Sequence, residues 1–254
     1  MASQDTPEVV YQDRHFLVLN KPAGLIVNRA KSVKGPTLQD WIEQNFSLEE
    51  NRENLDFIKR SGLVHRLDKD TSGLILVART AGDFKRLQAL FKKRKIKKRY
   101  LALVHGQLPC RGRIEIPIGR NPYQRGRFRV TFSGKKALTD YETLRIYQKS
   151  KRNKELFSLL ALFPSTGRTH QLRVHLKHLH RPIVADPFYV GRKTYREDQS
   201  WCPRLFLHAS DLRFRHPETG RKVFFSINLP ETLRKVLKEL SVYEKVQLQN
   251  SNEG

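Results

Sequence analysis

Val64-His65-Arg66-Leu67-Asp68-Lys69-Asp70-Thr71-Ser72-Gly73 runs directly into Leu74-Ile75-Leu76-Val77-Ala78. The polar half ends in turn-forming residues, and the apolar half reads as a buried strand leaving that turn. Asp68 stands two residues after Arg66. A cation close by favours the ionised carboxylate, which suits a nucleophile or a group that stabilises developing positive charge. Two other readings compete. Asp68 and Ser72 could simply bond the backbone of a turn. Residues 68–73 also imitate the first half of a calcium loop, but its twelfth position requires a bidentate Glu. Arg79 occupies that position here.

Upstream, Phe16-Leu17-Val18-Leu19 reads as a strand and Lys21-Pro22-Ala23-Gly24 as the turn after it. Thr37 with Asp40 matches a helix N-cap with an acid at N3, and Leu38, Trp41, Ile42 and Phe46 then share one face. Thr80 and Asp83 repeat the pattern ahead of Phe84, Leu87, Leu90 and Phe91. Downstream, strands are predicted over 99–106, 127–132, 156–163, 206–214 and 222–229. Helices are predicted over 169–179, with Leu172, Leu176 and Leu179 inward, and over 231–240. Strands outnumber helices and lack regular helical crossovers. The expected class is therefore α+β, with a mixed, mainly antiparallel sheet and flanking helices. No Gly-rich dinucleotide turn supports a doubly wound fold.

The 254 residues carry 49 Lys plus Arg against 25 Asp plus Glu, a formal net charge of +24. Such an excess strains a compact fold by self-repulsion unless the partner is a polyanion. Nucleic acid fits best, because neutralising phosphates releases counterions. An acidic membrane surface is the rival, but no apolar run approaches the span of about 18 residues that a membrane requires. Nor is there a signal peptide or an acylation motif at Met1-Ala2. The expectation is a cytoplasmic protein with no membrane partner. Cys110 and Cys202 form no CxxC pair and read as reduced, packed thiols. Residues 1–7 and 245–254 are polar and weakly patterned, which predicts loose tails around one domain over 8–244.

The cations are clustered. Lys92-Lys93-Arg94-Lys95-Ile96-Lys97-Lys98-Arg99 holds seven in eight residues, more than a helix C-terminus would attract. Others gather in 111–113, 120–129, 149–154 and 192–196, several beside Tyr123, Phe128 or Tyr195. Cations interleaved with aromatics suit backbone contact plus base stacking. Thr166-Gly167-Arg168-Thr169-His170-Gln171-Leu172-Arg173 opens a predicted helix with hydrogen-bonding side chains between two arginines. Helix starts offer N–H groups to anions, and arginine forks onto carboxylate or phosphate. A basic capping segment with solvated arginines explains the same pattern. His170, His175, His178 and His180 invite a metal reading, yet no cysteine or acid stands near them at zinc spacing. GxxxxGK[ST], GxSxG and HExxH are absent, which leaves nucleotide hydrolysis and common hydrolase chemistry unsupported.

Together these residues closely resemble the RluA-type family of pseudouridine synthases. The resemblance rests on Asn20-Lys21-Pro22-Ala23-Gly24-Leu25, His65-Arg66-Leu67-Asp68 with Thr71-Ser72-Gly73, and Lys98-Arg99-Tyr100-Leu101-Ala102. Gly167-Arg168-Thr169-His170-Gln171-Leu172-Arg173-Val174-His175 and Leu207-His208-Ala209 follow in the family's order. It implies a central RNA-binding cleft and isomerisation of uridine to pseudouridine in structured ribosomal or transfer RNA, with no cofactor or metal. It implies Asp68 as the essential carboxylate and Tyr100 as the tyrosine against the target base, a proton acceptor. Arg173 would pair with Asp68, and Arg66 would fill the space left by the extruded nucleotide. Arg168, His170, Lys97 and Lys98 are the further RNA-binding candidates. The S4-like domain that precedes the catalytic part in many relatives is not expected here. With charge mostly of one sign, a monomer without an obligate protein partner is expected.

The chemistry gives these roles independent sense. N1–C1′ must break, the uracil must turn, and C5 must join C1′. A carboxylate can attack C1′ or assist elimination there, as a glycosidase carboxylate meets an electron-poor anomeric carbon. A second, water-activating carboxylate would hydrolyse the sugar, so one acid is the expected pattern. Flipping the base out costs on the order of a few kcal/mol, which loops, bulges and Arg66 offset. Three positions depart from the family pattern. His180 stands where many relatives carry glycine, and left-handed backbone there would be costly for a histidine. Tyr189-Val190-Gly191 is one residue longer than the common ending, and Asn28 replaces a frequent histidine. A non-catalytic RNA-binding factor would predict loss of the acid, tyrosine or arginine, and all three are present. A DNA-binding protein is suggested by charge alone, without a helix-turn-helix or zinc-finger pattern.

Overall fold

Residues 74–78 do form a strand in the computed structural model, which describes residues 6–30, 33–48, 54–124, 126–149 and 155–244. Along the chain come β1 (Glu8–Gln12), β2 (Phe16–Lys21), α1 (Leu38–Asn45), α2 (Leu55–Arg60), β3 (Ser72–Ala78), α3 (Ala81–Lys92) and β4 (Lys97–His105). β5 (Arg111–Glu115), β6 (Ile118–Arg120), β7 (Phe128–Val130), β8 (Leu138–Gln148), β9 (Leu156–Pro164) and α4 (Gln171–His178) follow. The last elements are α5 (Arg192–Gln199), β10 (Leu207–Arg215), β11 (Lys222–Ser226), α6 (Glu231–Glu239) and β12 (Ser241–Glu244). The class is α+β with mainly antiparallel pairing, as predicted. The chain divides into two compact units, one from spans 1–98 and 209–227, the other from spans 99–208 and 228–254. The span 8–244, read from sequence as one domain, therefore passes between units after residues 98, 208 and 227.

In the first unit β1, β2 and β3 are successive antiparallel neighbours, with Phe16 opposite Ala78 and Lys21 opposite Gly73. Every residue of β3 is buried, as an unbroken apolar run must be when both faces are covered. Phe16, Val18, Leu74, Leu76 and Ala78 pack with Phe57, Phe84, Leu87 and Phe214. Thr80 caps α3 by accepting from the Asp83 N–H, which starts that helix with Phe84 and Leu87 facing the core. The predicted capping box at Thr37 is present in full, and α1 buries Leu38 and Ile42. Trp41 and Phe46 are only half-buried and pack on each other, with 5.6 Å between ring centres. Gly73 has φ +116°, and a Cβ there would lie 2.2 Å from the Ala209 carbonyl oxygen, so no other residue fits. Between α3 and β4, Ile96 is 4% exposed and anchors the cationic run, while Lys92, Lys93, Arg94, Lys95 and Lys97 stand exposed.

In the second unit β8 and β9 form a long hairpin, β9 pairs with β4, and β5 and β12 both pair with β8. β6 and β7 form a separate two-stranded hairpin. Ala102, Val104, Phe157, Leu160, Leu162 and Phe206 make a core that Leu176 of α4 and Leu233 of α6 complete.

Several boundaries differ from the sequence reading. α4 begins at Gln171 rather than 169, because its N-cap His170 has φ 55° and cannot continue a right-handed helix. β7 is shorter than 127–132, and β11 stops at Ser226 as the chain approaches Pro230, which has no N–H for a ladder. β8 carried no clear signal: its buried positions include Thr139, Tyr141 and Thr143, so polar atoms mask the alternation. α5 is mostly charged and buries Asp198, so it shows no apolar face. His180 adopts φ 57°, the left-handed backbone expected where relatives carry glycine. Of the expected tails, 1–5 and 245–254 lie outside the described residues, and Pro7 is buried. Arg125 and residues 150–154 of the cation clusters also lie outside them. Cys110 is an exposed free thiol and Cys202 a buried one. Among the described residues no helix is long and apolar enough to cross a membrane.

Candidate active site

The loop carrying Asp68 is built through its backbone. The Thr71 N–H donates to the Asp68 carbonyl at 3.2 Å, closing a tight turn. The next carbonyl, of Lys69, accepts from the Gly24 N–H at 2.9 Å and from the Lys21 ammonium at 3.0 Å. Lys21 is 0% exposed, and its Nζ also donates to the carbonyls of Pro22 at 2.7 Å and Leu25 at 2.8 Å. A buried ammonium is costly unless its donors are met, and three carbonyls meet them here. The effect is a staple: turn 21–25 and the Asp68 loop share one cation. Asp68 is half-buried and Arg66 is exposed.

His65 ties the same loop to β3, its Nε2 accepting from the Leu76 N–H at 2.9 Å while its ring lies 4.8 Å from Phe91. Burial, with help from the Lys98 charge, pulls its pKa from 6.5 down to about 3. The ring is therefore a neutral acceptor near pH 7 and holds the loop rather than moving protons. Lys98 is half-buried, and burial pulls its ammonium down to about 8. Lys97 is exposed.

The remaining candidates lie in the second unit. Tyr100 sits on β4 opposite Leu162, half-buried against the core. Arg173 projects from α4 and is 1% exposed. Its Nε and Nη2 fork onto Asp186, at 2.8 Å to Oδ2 and 2.7 Å to Oδ1. Asp186 Oδ1 also accepts from the N–H groups of Phe188 at 2.9 Å and Tyr189 at 3.2 Å. The Arg173 guanidinium thus lies 5.2 Å from the ring centres of both Phe188 and Tyr189. Tyr189 reaches on: its hydroxyl accepts from the Phe128 N–H at 3.0 Å and lies 2.8 Å from His170 Nδ1.

Gln171 fixes the segment before α4. Its Oε1 accepts from the Thr166 hydroxyl and the Arg168 N–H, and its Nε2 donates to the Leu138 carbonyl and Thr139 Oγ1. His175 Nε2 must donate to the Ile116 carbonyl at 3.2 Å, which leaves Nδ1 to accept from Thr139. Arg168 is exposed, and its Nε donates to the Lys136 carbonyl. Among the described residues no group of His, Cys, Asp and Glu could hold a metal ion.

Asp68, Arg66, Lys97 and Lys98 thus belong to the first unit, and Tyr100, Arg168, His170 and Arg173 to the second. Within the second unit Arg173 and His170 share one cluster through Phe188 and Tyr189. Lys21 and Asp186, which position the candidate catalytic residues, carried no sequence signal of that role. A lysine before proline reads as turn, and Asp186 before Pro187 does likewise.

Comparison with known proteins gives the chain's family. The profile of the RNA pseudouridylate synthase family matches residues 15–178. The chain is 36% identical over 232 residues to ribosomal large subunit pseudouridine synthase D of Pseudomonas aeruginosa, covering 88% of this chain and 68% of that one. It is 35% identical over 234 residues to an uncharacterized RNA pseudouridine synthase of Bacillus subtilis, covering 92% and 72%. Among solved structures, human RNA pseudouridylate synthase domain containing 1 is similar with a TM-score of 0.74 at 30% identity, covering 98% of this chain and 94% of that one. The chain belongs to the RNA pseudouridylate synthase family and is an isomerase that converts uridine to pseudouridine in RNA.

Proposed function

We propose that this enzyme modifies uridines of structured ribosomal RNA in the cytoplasm, acting as a monomer through Asp68 in a catalytic domain spanning 8–244. The single observation that most favours Asp68 is its loop, held by the buried Lys21 ammonium on one side and the neutral His65 ring on the other. Such fixation suits a group that must meet one ribose carbon in one geometry. The name of the Pseudomonas aeruginosa relative and the net charge of +24 favour ribosomal RNA.

In this reading Asp68 attacks C1′, or assists departure of uracil, as N1–C1′ breaks. The uracil turns, C5 bonds to C1′ and displaces Asp68 from it where that bond had formed, the C5 proton passes to the Tyr100 oxygen as the hydroxyl's own proton leaves to solvent, and N1 takes up a proton, so the formula is unchanged. The reaction is redox-neutral and consumes no water, and it calls on no cofactor. Arg173, oriented by the Asp186 fork, is the guanidinium that the family resemblance assigns to the catalytic carboxylate. Arg66 enters the space vacated by the flipped nucleotide, and Arg168, His170, Lys97 and Lys98 hold RNA. The test is a pseudouridine map of ribosomal and transfer RNA from cells lacking the protein and cells re-expressing it. Sites in large-subunit ribosomal RNA should vanish and return with the native protein but not with Asp68→Asn. An unchanged map, or restoration by Asp68→Asn, overturns the proposal.

A further inference from the structure

The second unit contains a cavity of about 360 Å³ between the β6–β7 hairpin, α4 and residues 188–191. Its size is at the low end of small-ligand sites, enough for one nucleotide. Arg127, Arg129 and Lys177 line it together with the rings of Phe128, Phe188 and Tyr189, and no Asp or Glu does. Three cations around one hollow without a counter-charge repel one another, an arrangement that a phosphodiester relieves. The rings are set for a base. Phe188 is 36% exposed despite its size, and the Arg127 guanidinium lies 5.7 Å from its ring centre. Tyr123 between the two strands and Phe132 just after β7 also stand uncovered, at 86% and 96% exposure. Arg129 lies 5.8 Å from the Tyr123 ring centre. Exposed rings beside cations are the elements of single-strand recognition, in which bases stack and the backbone meets charge. Anchoring Arg173 accounts for one contact of Phe188 but not for the three cations.

We infer that this cavity is a second nucleotide subsite, which stacks a base of the RNA other than the target uridine on Phe188 and holds the adjoining phosphate with Arg129 and Lys177. The inference rests on RNA being the substrate, and it assigns the hairpin a part in choosing which uridine is presented.

The test uses the full chain and the double variant Arg129→Ala/Lys177→Ala, both exposed side chains whose loss leaves the core intact. The probe is an in vitro transcript of bacterial large-subunit ribosomal RNA, with binding followed by fluorescence anisotropy across a salt series. Loss of the contact to that phosphate should make log K against log salt shallower by about 0.7 to 0.9. KM should rise about tenfold while kcat at saturating RNA stays within about twofold. A control pair, Lys235→Ala/Lys238→Ala on α6, removes equal exposed charge and should leave KM unchanged. A transcript carrying 5-bromouridine should photocrosslink to the native protein at peptides containing Phe128 or Phe188. Equal effects of the two double variants, or crosslinks confined to peptides elsewhere, overturn the subsite. Failure of the native enzyme to modify the transcript would instead overturn the ribosomal assignment, because the binding and crosslinking readouts do not depend on turnover.

Discussion

Replacing Lys21 by methionine tests how the Asp68 loop is held. Methionine keeps the length and the apolar stem but removes the ammonium that joins the carbonyls of Pro22, Leu25 and Lys69. The Lys69 carbonyl retains the Gly24 N–H, whereas those of Pro22 and Leu25 lose this donor. An orphaned buried carbonyl costs about 1–3 kcal/mol, giving about 2–6 kcal/mol for two. Both residues are half-buried, so water reaches part of the gap, and the variant no longer has a cation to desolvate. Both effects favour the low end, about 2–3 kcal/mol. Urea unfolding should show the midpoint fall by that free energy divided by the slope, with the slope itself unchanged. Because turn 21–25 is then tied to the Asp68 loop through the Gly24 N–H without the ammonium, the loop is held less firmly and kcat should fall more than RNA affinity. An unshifted midpoint with native kcat would refute the staple.

Three lines of the account carry further tests. Asp186→Ala strips the carboxylate from a guanidinium that is 1% exposed, which should cost about 3–5 kcal/mol of stability in thermal unfolding and lower kcat; an unchanged melting temperature would contradict the role given to Asp186. His65 has a folded pKa of about 3 against 6.5 for the free side chain, so the unfolded chain binds the extra proton between those values. His65 should therefore give stability a positive slope with pH of up to about 1.4 kcal/mol per unit in that window, fully regained above 6.5 and flattened in His65→Gln. Lys98, with its ammonium at about 8, loses charge as pH rises from 7 to 9, so RNA affinity should weaken over that range. Lys98→Arg should abolish the weakening, and identical pH profiles would remove Lys98 from the RNA contact.

The parts of the fold that could be read from the chain are those whose signal is local. β3 is an unbroken apolar run, and both capped helices announce themselves through Thr37 and Thr80. The family motifs likewise marked Asp68, Tyr100 and Arg173 by local sequence. What stayed hidden depends on distant partners. Lys21 looks like a turn residue until the Lys69 carbonyl, 48 positions away, reaches it. Asp186 precedes a proline, and its fork partner is 13 positions upstream. β8 buries threonines whose hydroxyls are met by a loop and by α4: Thr143 by the Pro109 carbonyl, Thr139 by Gln171 and His175. No hydrophobic pattern reveals such a strand, because its polar atoms are satisfied only after the sheet has formed.

The most direct measurement concerns the carboxylate itself. RNA labelled with tritium at uracil C5 is mixed with excess native enzyme or Asp68→Asn, and tritium release and RNA binding are followed in the same samples. The account predicts native-like binding by the variant with release slowed by about 10³-fold or more. Release at the native rate would contradict it, because an amide can neither attack C1′ nor supply the negative charge that Asp68 brings there.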